Sequence, residues 1–280
     1  MNQIPTISPS ELCDRYDVLL LDAYGVLNDH DGALKGAPAF IGSLNRQRKP
    51  YLLLTNDASR TPETSSRRFR SMGLDIAPDR ILTSGLMFPR YFAERGLIGA
   101  RCVVLGPAES REYVERAGGK PVQLDDTTLA DALIVCDEAG QDYRPTLDRA
   151  LSFLFRKLDA HEPMALVLAN PDVVYPMSPG RFGFTSGSMA LLLEAGLAAR
   201  YPGHEHRFIR LGKPSPYLFD AARSRFPDGS MVMIGDQLAT DIRGARDYGL
   251  DSVLIGTGVA RQASLTPDSL LRPDFVMDSL

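Results

Sequence analysis

Short runs of apolar residues recur along the chain, separated by stretches with the amphipathic spacing of helices. The runs predict strands at Val18–Leu21, Tyr51–Leu54, Cys102–Leu105, Ala132–Val135, Ala165–Leu168, Met231–Ile234 and Ser252–Ile255. The stretches between them predict helices near Pro38–Asn45, Pro62–Met72, Glu109–Ala117, Arg144–Leu158, Ser188–Ala199, Pro216–Arg225 and Ala239–Tyr248. Strands that are apolar along their whole length and alternate with helices predict an α/β fold with parallel sheets covered on both faces. Local signals agree: Thr61-Pro62-Glu63 offers a hydroxyl cap, a first-turn proline and an acid at one helix start.

The pattern divides the chain. Strand–helix units fill residues 1–84 and resume at residues 207–280, while residues 85–206 carry strands and helices of their own. The expected architecture is a Rossmann-like, doubly wound core, 1–84 with 207–280, into which a second α/β unit, 85–206, is inserted. The segment "RYPGHEHR", residues 200–207, reads as the return linker.

Composition narrows the function classes. The 280 residues suffice for one large or two modest domains. A net charge of −4 and a pI of about 5.6 give no basic field for nucleic acid. No apolar run approaches the roughly 18 residues of a membrane helix, and the N-terminus lacks the basic flank and apolar core of a signal peptide. Cys13, Cys102 and Cys136 are odd in number and widely spaced, which suits thiols in a reducing cytosol. The expected setting is cytoplasmic, with no nucleic-acid or membrane partner.

Candidate chemistry gathers where apolar runs end. "LLLDAYGVLND" ends a strand at Asp22; "LLLTND" ends one with Thr55 and Asn56. "RLGKPSPYLFD" presents Lys213 just before a helix, and "MVMIGDQLATDIRGA" supplies Asp236 and Asp241. Taken singly, each is as well explained by a turn hydroxyl, a solvated lysine or a capping acid. Together, at the carboxyl edge of a parallel sheet, they suit magnesium-assisted phosphoryl transfer. "HEH", residues 204–206, lies in the linker without a third ligand, which favours a surface role over zinc. Neither a GxxxxGK[ST] loop nor a GxGxxG fingerprint is present.

The ordered motifs DxxGV, TN, GKPSP and GDxxxTD resemble the haloacid dehalogenase-like superfamily of hydrolases. The middle, with "ADALIVCD" and "NPDVVYP", resembles its class IIA branch of NagD-type and 4-nitrophenylphosphatase-type phosphatases. The resemblance implies that Asp22 is phosphorylated as nucleophile. Thr55 and Asn56 would bind phosphoryl oxygens, and Lys213 would hold phosphate and nucleophile together. Mg2+ would be bound by Asp22, the Tyr24 backbone carbonyl, Asp236 and Asp241, the last directly or through water. Residues 85–206 would be the cap that selects a small phosphorylated metabolite, with Asp172, Tyr175 and Arg181 as contacts or as structural loop residues. The branch also implies a homodimer.

Two positions depart from that pattern. Tyr24 stands where the phosphatases carry a general acid/base aspartate, and a phenol with a reference pKa of about 10 is a poor base near neutrality. Asp57 stands where relatives often carry asparagine, either as a solvated loop acid or as the missing carboxylate. Tyr24 keeps two alternatives open: a dehalogenase-type hydrolase, and a non-catalytic protein that binds a phosphorylated metabolite.

Overall fold

The computed structural model describes residues 4–140, 142–178, 180–260 and 271–280. The described strands are β1 (Val18–Leu21), β2 (Tyr51–Thr55), β3 (Ile81–Thr83), β4 (Arg101–Leu105), β5 (Lys120–Val122), β6 (Ala132–Val135) and β7 (Ala165–Leu168). They continue with β8 (Val174–Ser178), β9 (Arg181–Phe184), β10 (Ile209–Arg210), β11 (Met231–Gly235), β12 (Asp251–Ile255) and β13 (Phe275–Met277). All seven apolar runs become strands. The added ones are short, edge or paired strands with little apolar signature.

One sheet runs β13-β12-β11-β1-β2-β3 and the other β10-β7-β6-β4-β5, all parallel; β8 and β9 form an antiparallel hairpin. In the first sheet the chain grows from β1 towards β3, then crosses back to place β11 on β1's other side. The switch point therefore lies between β1 and β11, where open α/β sheets place their ligands. Register makes this concrete. Leu21 is paired with Ile234 on one side and Leu53 on the other, so Asp22, Asp236 and Thr55 emerge close together.

The two sheets share apolar packing. One cluster joins Leu20 and Leu54 of the first sheet to Val104, Ile134 and Val167 of the second through Phe88, Phe92 and Tyr113. Phe88 and Phe92 lie on the helix Phe88–Arg95, and Tyr113 on the helix Ala108–Arg116. Each such side chain contributes about 1.5–3 kcal/mol when fully buried. The second sheet's other face is covered by the helices Tyr143–Asp159 and Ser186–Arg200.

Two features differ from the sequence pattern. The second sheet takes its last strand from Ile209–Arg210, past residue 207, where the pattern places the return to the core. Both residues are exposed on an edge strand, so no apolar run marks them. The helix expected at Ala239–Tyr248 is a wide turn, Leu238–Ile242, followed by a helix at Arg243–Tyr248. Turns of this kind break helical spacing and recur at functional sites; this one turns Asp241 inward.

Because the packing is shared, the sheets should unfold together. Phe88→Ala removes a fully buried ring from the common cluster and should cost about 3–5 kcal/mol. Urea unfolding followed by far-UV circular dichroism and by tyrosine fluorescence should shift equally. A transition left at its wild-type midpoint would show separate cores.

Candidate active site

Asp22 follows β1, and its amide continues the ladder by donating to the Ile234 carbonyl at 2.9 Å. Asp236 follows β11, and Asp241 returns from the wide turn to the same place. That return requires Gly235, where a Cβ would stand 2.2 Å from the Asp241 Cβ. Lys213 enters from the loop after β10. Its backbone is pinned by Asn56, whose Oδ1 accepts from the Lys213 N–H at 2.7 Å and whose Nδ2 donates to the Lys213 carbonyl at 3.2 Å.

The Lys213 ammonium is 1% exposed. It donates to Asp22 Oδ1 at 2.6 Å and to the Leu54 carbonyl at 2.8 Å, and lies 2.7 Å from Asp241 Oδ1. Burial alone would lower its pKa, but Asp22, Asp241 and Asp172 outweigh that and keep it charged above the usual lysine range. The carboxylates move the other way. Asp22 is pushed up to about 7, chiefly by burial, against the pull of Lys213 and with a further push from Asp241 and Asp172. Asp236 is raised by burial and then by Asp22 and Asp241. Asp172 is pushed up to about 6, mainly by burial.

One ammonium does not balance these acids. Asp22, Asp236 and Asp241 each bring an oxygen within 4.8 Å of the others. Asp236 Oδ1 and Asp241 Oδ1 are buried without a hydrogen-bond partner, the latter having only its ionic contact to Lys213. Hard oxygen donors, buried and unsatisfied, fit a small divalent cation.

Around this centre lies a cavity of about 230 Å³ between the carboxyl edges of both sheets. The first sheet contributes Asp22, Tyr24, Thr55, Asp57 and Gln237; the second contributes Asp137, Glu138 and Asn170 after β6 and β7. Thr55 Oγ1 accepts from the Asp57 N–H at 3.1 Å, which leaves its hydroxyl proton for a ligand. Asn56 is fully engaged, its Nδ2 also donating to Asp172 Oδ1 at 3.0 Å, so its side chain positions Lys213 and Asp172. Asp57 accepts from the Ser59 N–H and hydroxyl at 2.7 and 2.6 Å and pairs with Arg60 at 3.2 Å, as a loop-ordering acid.

Tyr24 is held from two sides. Its hydroxyl accepts from Arg68 at 2.8 Å, and its ring meets Tyr175 of the hairpin edge-on at 5.8 Å. Burial raises its pKa, although Arg68 pulls it down. The hairpin is further joined to the core by the His30 N–H donating to the Met177 carbonyl at 3.1 Å. Asp172 and Tyr175 therefore line the cavity, whereas Arg181 is exposed in β9 and is not among its lining residues. Arg60, Asp137, Glu138 and Thr185 also line it. A strand-end reading of "LIVCDE" points to Asp137 and Glu138; nothing local marks Arg60 or Thr185.

Residues 19–120 match the family model of haloacid dehalogenase-like hydrolases, and residues 210–280 match a HAD-hydrolase-like model. A glycerol-3-phosphate phosphatase of Gallus gallus is 30% identical, covering 94% of this chain and 89% of that protein. The chain belongs to the haloacid dehalogenase-like hydrolases. Its class IIA architecture is borne out by solved structures of this family. A possible sugar phosphatase of Cytophaga hutchinsonii matches with a TM-score of 0.84 and 28% identity over 99% of this chain and 98% of that one. A glycerol phosphate phosphatase of Mycobacterium tuberculosis, solved with magnesium, matches with a TM-score of 0.77 and 25% identity over 96% of this chain and 76% of that one. The dehalogenase alternative is set aside, since the named relatives of this hydrolase are phosphatases. Among the described residues, no helix is long and apolar enough to cross a membrane.

The Asp137 carboxyl is pushed up to about 7 by burial, then by Glu138 and Asp57. In the unfolded chain it titrates near 3.9, so between these values the folded state binds more protons and this group's contribution to stability falls as pH rises. Asp137→Asn removes that penalty. The variant should match wild type near pH 4 and be the more stable above pH 7 by thermal unfolding. Equal stability at both pH values would place Asp137 in an environment that leaves it ionised at no cost.

Proposed function

We propose that this hydrolase is a magnesium-dependent phosphatase that moves the phosphoryl group of a small phosphate monoester to Asp22 and then to water. The observation that supports this most directly is the buried set Asp22, Asp236 and Asp241 around the Lys213 ammonium. Asp22, Asp236, Asp241 and the Tyr24 carbonyl would hold the ion, whose charge would offset the repulsion between Asp22 and the phosphoryl oxygens. Lys213 orients Asp22 and neutralises incoming phosphate, and the Thr55 hydroxyl donates to a phosphoryl oxygen. Asp22 forms a bond to phosphorus as the ester oxygen leaves with its electron pair and takes up a proton. Water then cleaves the aspartyl phosphate.

Residues 85–206, with the edge strand that follows, act as the cap in this reading, and the Tyr24–Tyr175 contact closes it over the substrate. Asp57, Asp137 and Glu138 line the outer wall, and the Arg60 charge is already paired with Asp57. Such a wall disfavours a second anionic group on the leaving alcohol and favours a small, hydroxylated one. The named relative acting on glycerol-3-phosphate supports that class.

Tyr24 shapes the kinetics. Arg68 donates into the phenol oxygen, so the phenolic proton is free to point at the leaving-group oxygen. Burial keeps that proton on, so Tyr24 donates but does not accept. Positioned acid–base groups contribute about 10²- to 10⁴-fold; the step that activates water loses much of this.

Activity on an aryl phosphate should vanish with EDTA and return with magnesium, and Asp22→Asn should drop turnover below detection without loss of fold. Full activity after exhaustive chelation, or a near-native Asp22→Asn enzyme, would move the chemistry elsewhere.

With only the water-activating step weakened, the native protein should be slow, with similar kcat on aryl and alkyl phosphates because both pass through the same aspartyl phosphate. Tyr24→Asp should raise kcat on both, and raise KM because the Tyr175 contact is gone. Fast native turnover of alkyl phosphates with no gain in the variant would refute this role of Tyr24.

A further inference from the structure

Asp236 is enclosed more tightly than a metal-ligating carboxylate requires. A Cβ added at Gly25, where φ is +78°, would lie 2.3 Å from Asp236 Oδ2, and one at Gly258 would lie 1.9 Å from the same atom. The carboxylate is thus wedged between two backbone segments that approach it only because both are glycine. One is the loop after β1; the other is the turn after β12. That turn also holds Asp236 directly: the Val259 N–H donates to Oδ2 at 2.7 Å, and the Ala260 N–H donates to the Asp236 carbonyl at 3.0 Å. The Thr257 hydroxyl donates to the Gly25 carbonyl at 2.5 Å, tying the two segments together.

The consequence falls on the other oxygen. With Oδ2 fixed, Oδ1 is left buried and unpartnered beside Asp22 and Asp241, in a residue that is 0% exposed. We propose that Thr257, Gly258 and Val259 form, with Gly25, a clasp that sets the rotation of the Asp236 carboxylate and so tunes the affinity of the site for magnesium. These are positioning residues, which act through Asp236. The inference rests on the magnesium site proposed above. Its chemistry is that of an outer partner: it presents one oxygen of a carboxylate in a fixed orientation, so the ion need not work against side-chain rotation. It also adds a loop absent from the motif pattern, since Thr257-Gly258-Val259 follows a strand with no acid at its end.

The test is the magnesium dissociation constant of the full chain, by titration calorimetry and by magnesium-dependent thermal stabilisation. Gly258→Ala forces the carboxylate aside, and Thr257→Val removes the tie while keeping the shape. Each should weaken magnesium about 10- to 100-fold, the range for lost outer partners. Thr257→Ser keeps the hydroxyl and should restore near-native affinity. At saturating magnesium the substrate KM should stay within about twofold of wild type, in keeping with a defect in ion affinity alone. If Gly258→Ala does not fold, the Thr257→Val and Thr257→Ser pair decides. A folded Thr257→Val protein with the wild-type dissociation constant, or with a lower metal-free melting temperature and unchanged affinity, overturns the clasp alone. A wild-type chain that binds no magnesium overturns both the clasp and the reading of the site.

Discussion

The Lys213 ammonium, buried between Asp22 and Asp241, is the interaction on which the rest of the site depends. Removing one partner of a buried ion pair typically costs about 3–5 kcal/mol, because the other charge is stranded. The structure therefore fixes the lysine from several directions. The Leu54 carbonyl takes a third contact, Asn56 grips the backbone on both sides, and Gly212 lets that grip close, since a Cβ there would stand 2.5 Å from Asn56 Oδ1. The same Asn56 reaches Asp172, on the loop after β7. One buried charge thereby joins β1, β2, the wide turn and the second sheet.

The legible part of this design is the part with strong local chemistry. Seven apolar runs are the inner strands of both sheets, because a strand buried on both faces must be apolar throughout. Asp22, Thr55, Asp236 and Asp241 are legible because each ends or closely follows such a run. Less legible elements take their stability from partners distant in sequence. β10 is two exposed residues that gain order from pairing with β7, and Arg181 has no local cue to the direction it faces in β9. The helix Pro9–Arg15 is a different case. Its Ser8–Glu11 capping box is a sequence signal, but its apolar face is a single buried leucine, too short for periodicity to register.

Both sheets use their carboxyl edges in the same way. The first offers Asp22, Thr55 and Asp236; the second, facing it, offers Asp137, Glu138 and Asn170. The physical reason is common to both. Parallel strands covered on both faces leave only their ends in contact with a ligand, and loops at those ends can carry any side chain without disturbing the core. The division of labour follows from burial. The first sheet's acids are buried around a cation site, whereas the second sheet's are half-buried along the cavity wall.

That division also bears on Asp57 and Tyr24, which line the cavity beside Thr55 and Asp22. Asp57 is close in sequence to Thr55, but its oxygens order its own loop and pair with Arg60; releasing it as a base would unmake the turn that presents Thr55. Tyr24 instead uses its size. It carries the Arg68 guanidinium 5.3 Å from its ring centre and reaches the hairpin through Tyr175, a span that an aspartate is too short to make. The side chain two residues past Asp22 thus ties the first sheet's loop to the hairpin. Asp22 and Lys213 are held by partners other than the Tyr24 side chain: the Ile234 carbonyl takes the Asp22 amide, and the Leu54 carbonyl and Asn56 hold the lysine. In the proposed mechanism, attack by Asp22 and protonation of the leaving group would be supported by different side chains, Lys213 for the first and Tyr24 for the second.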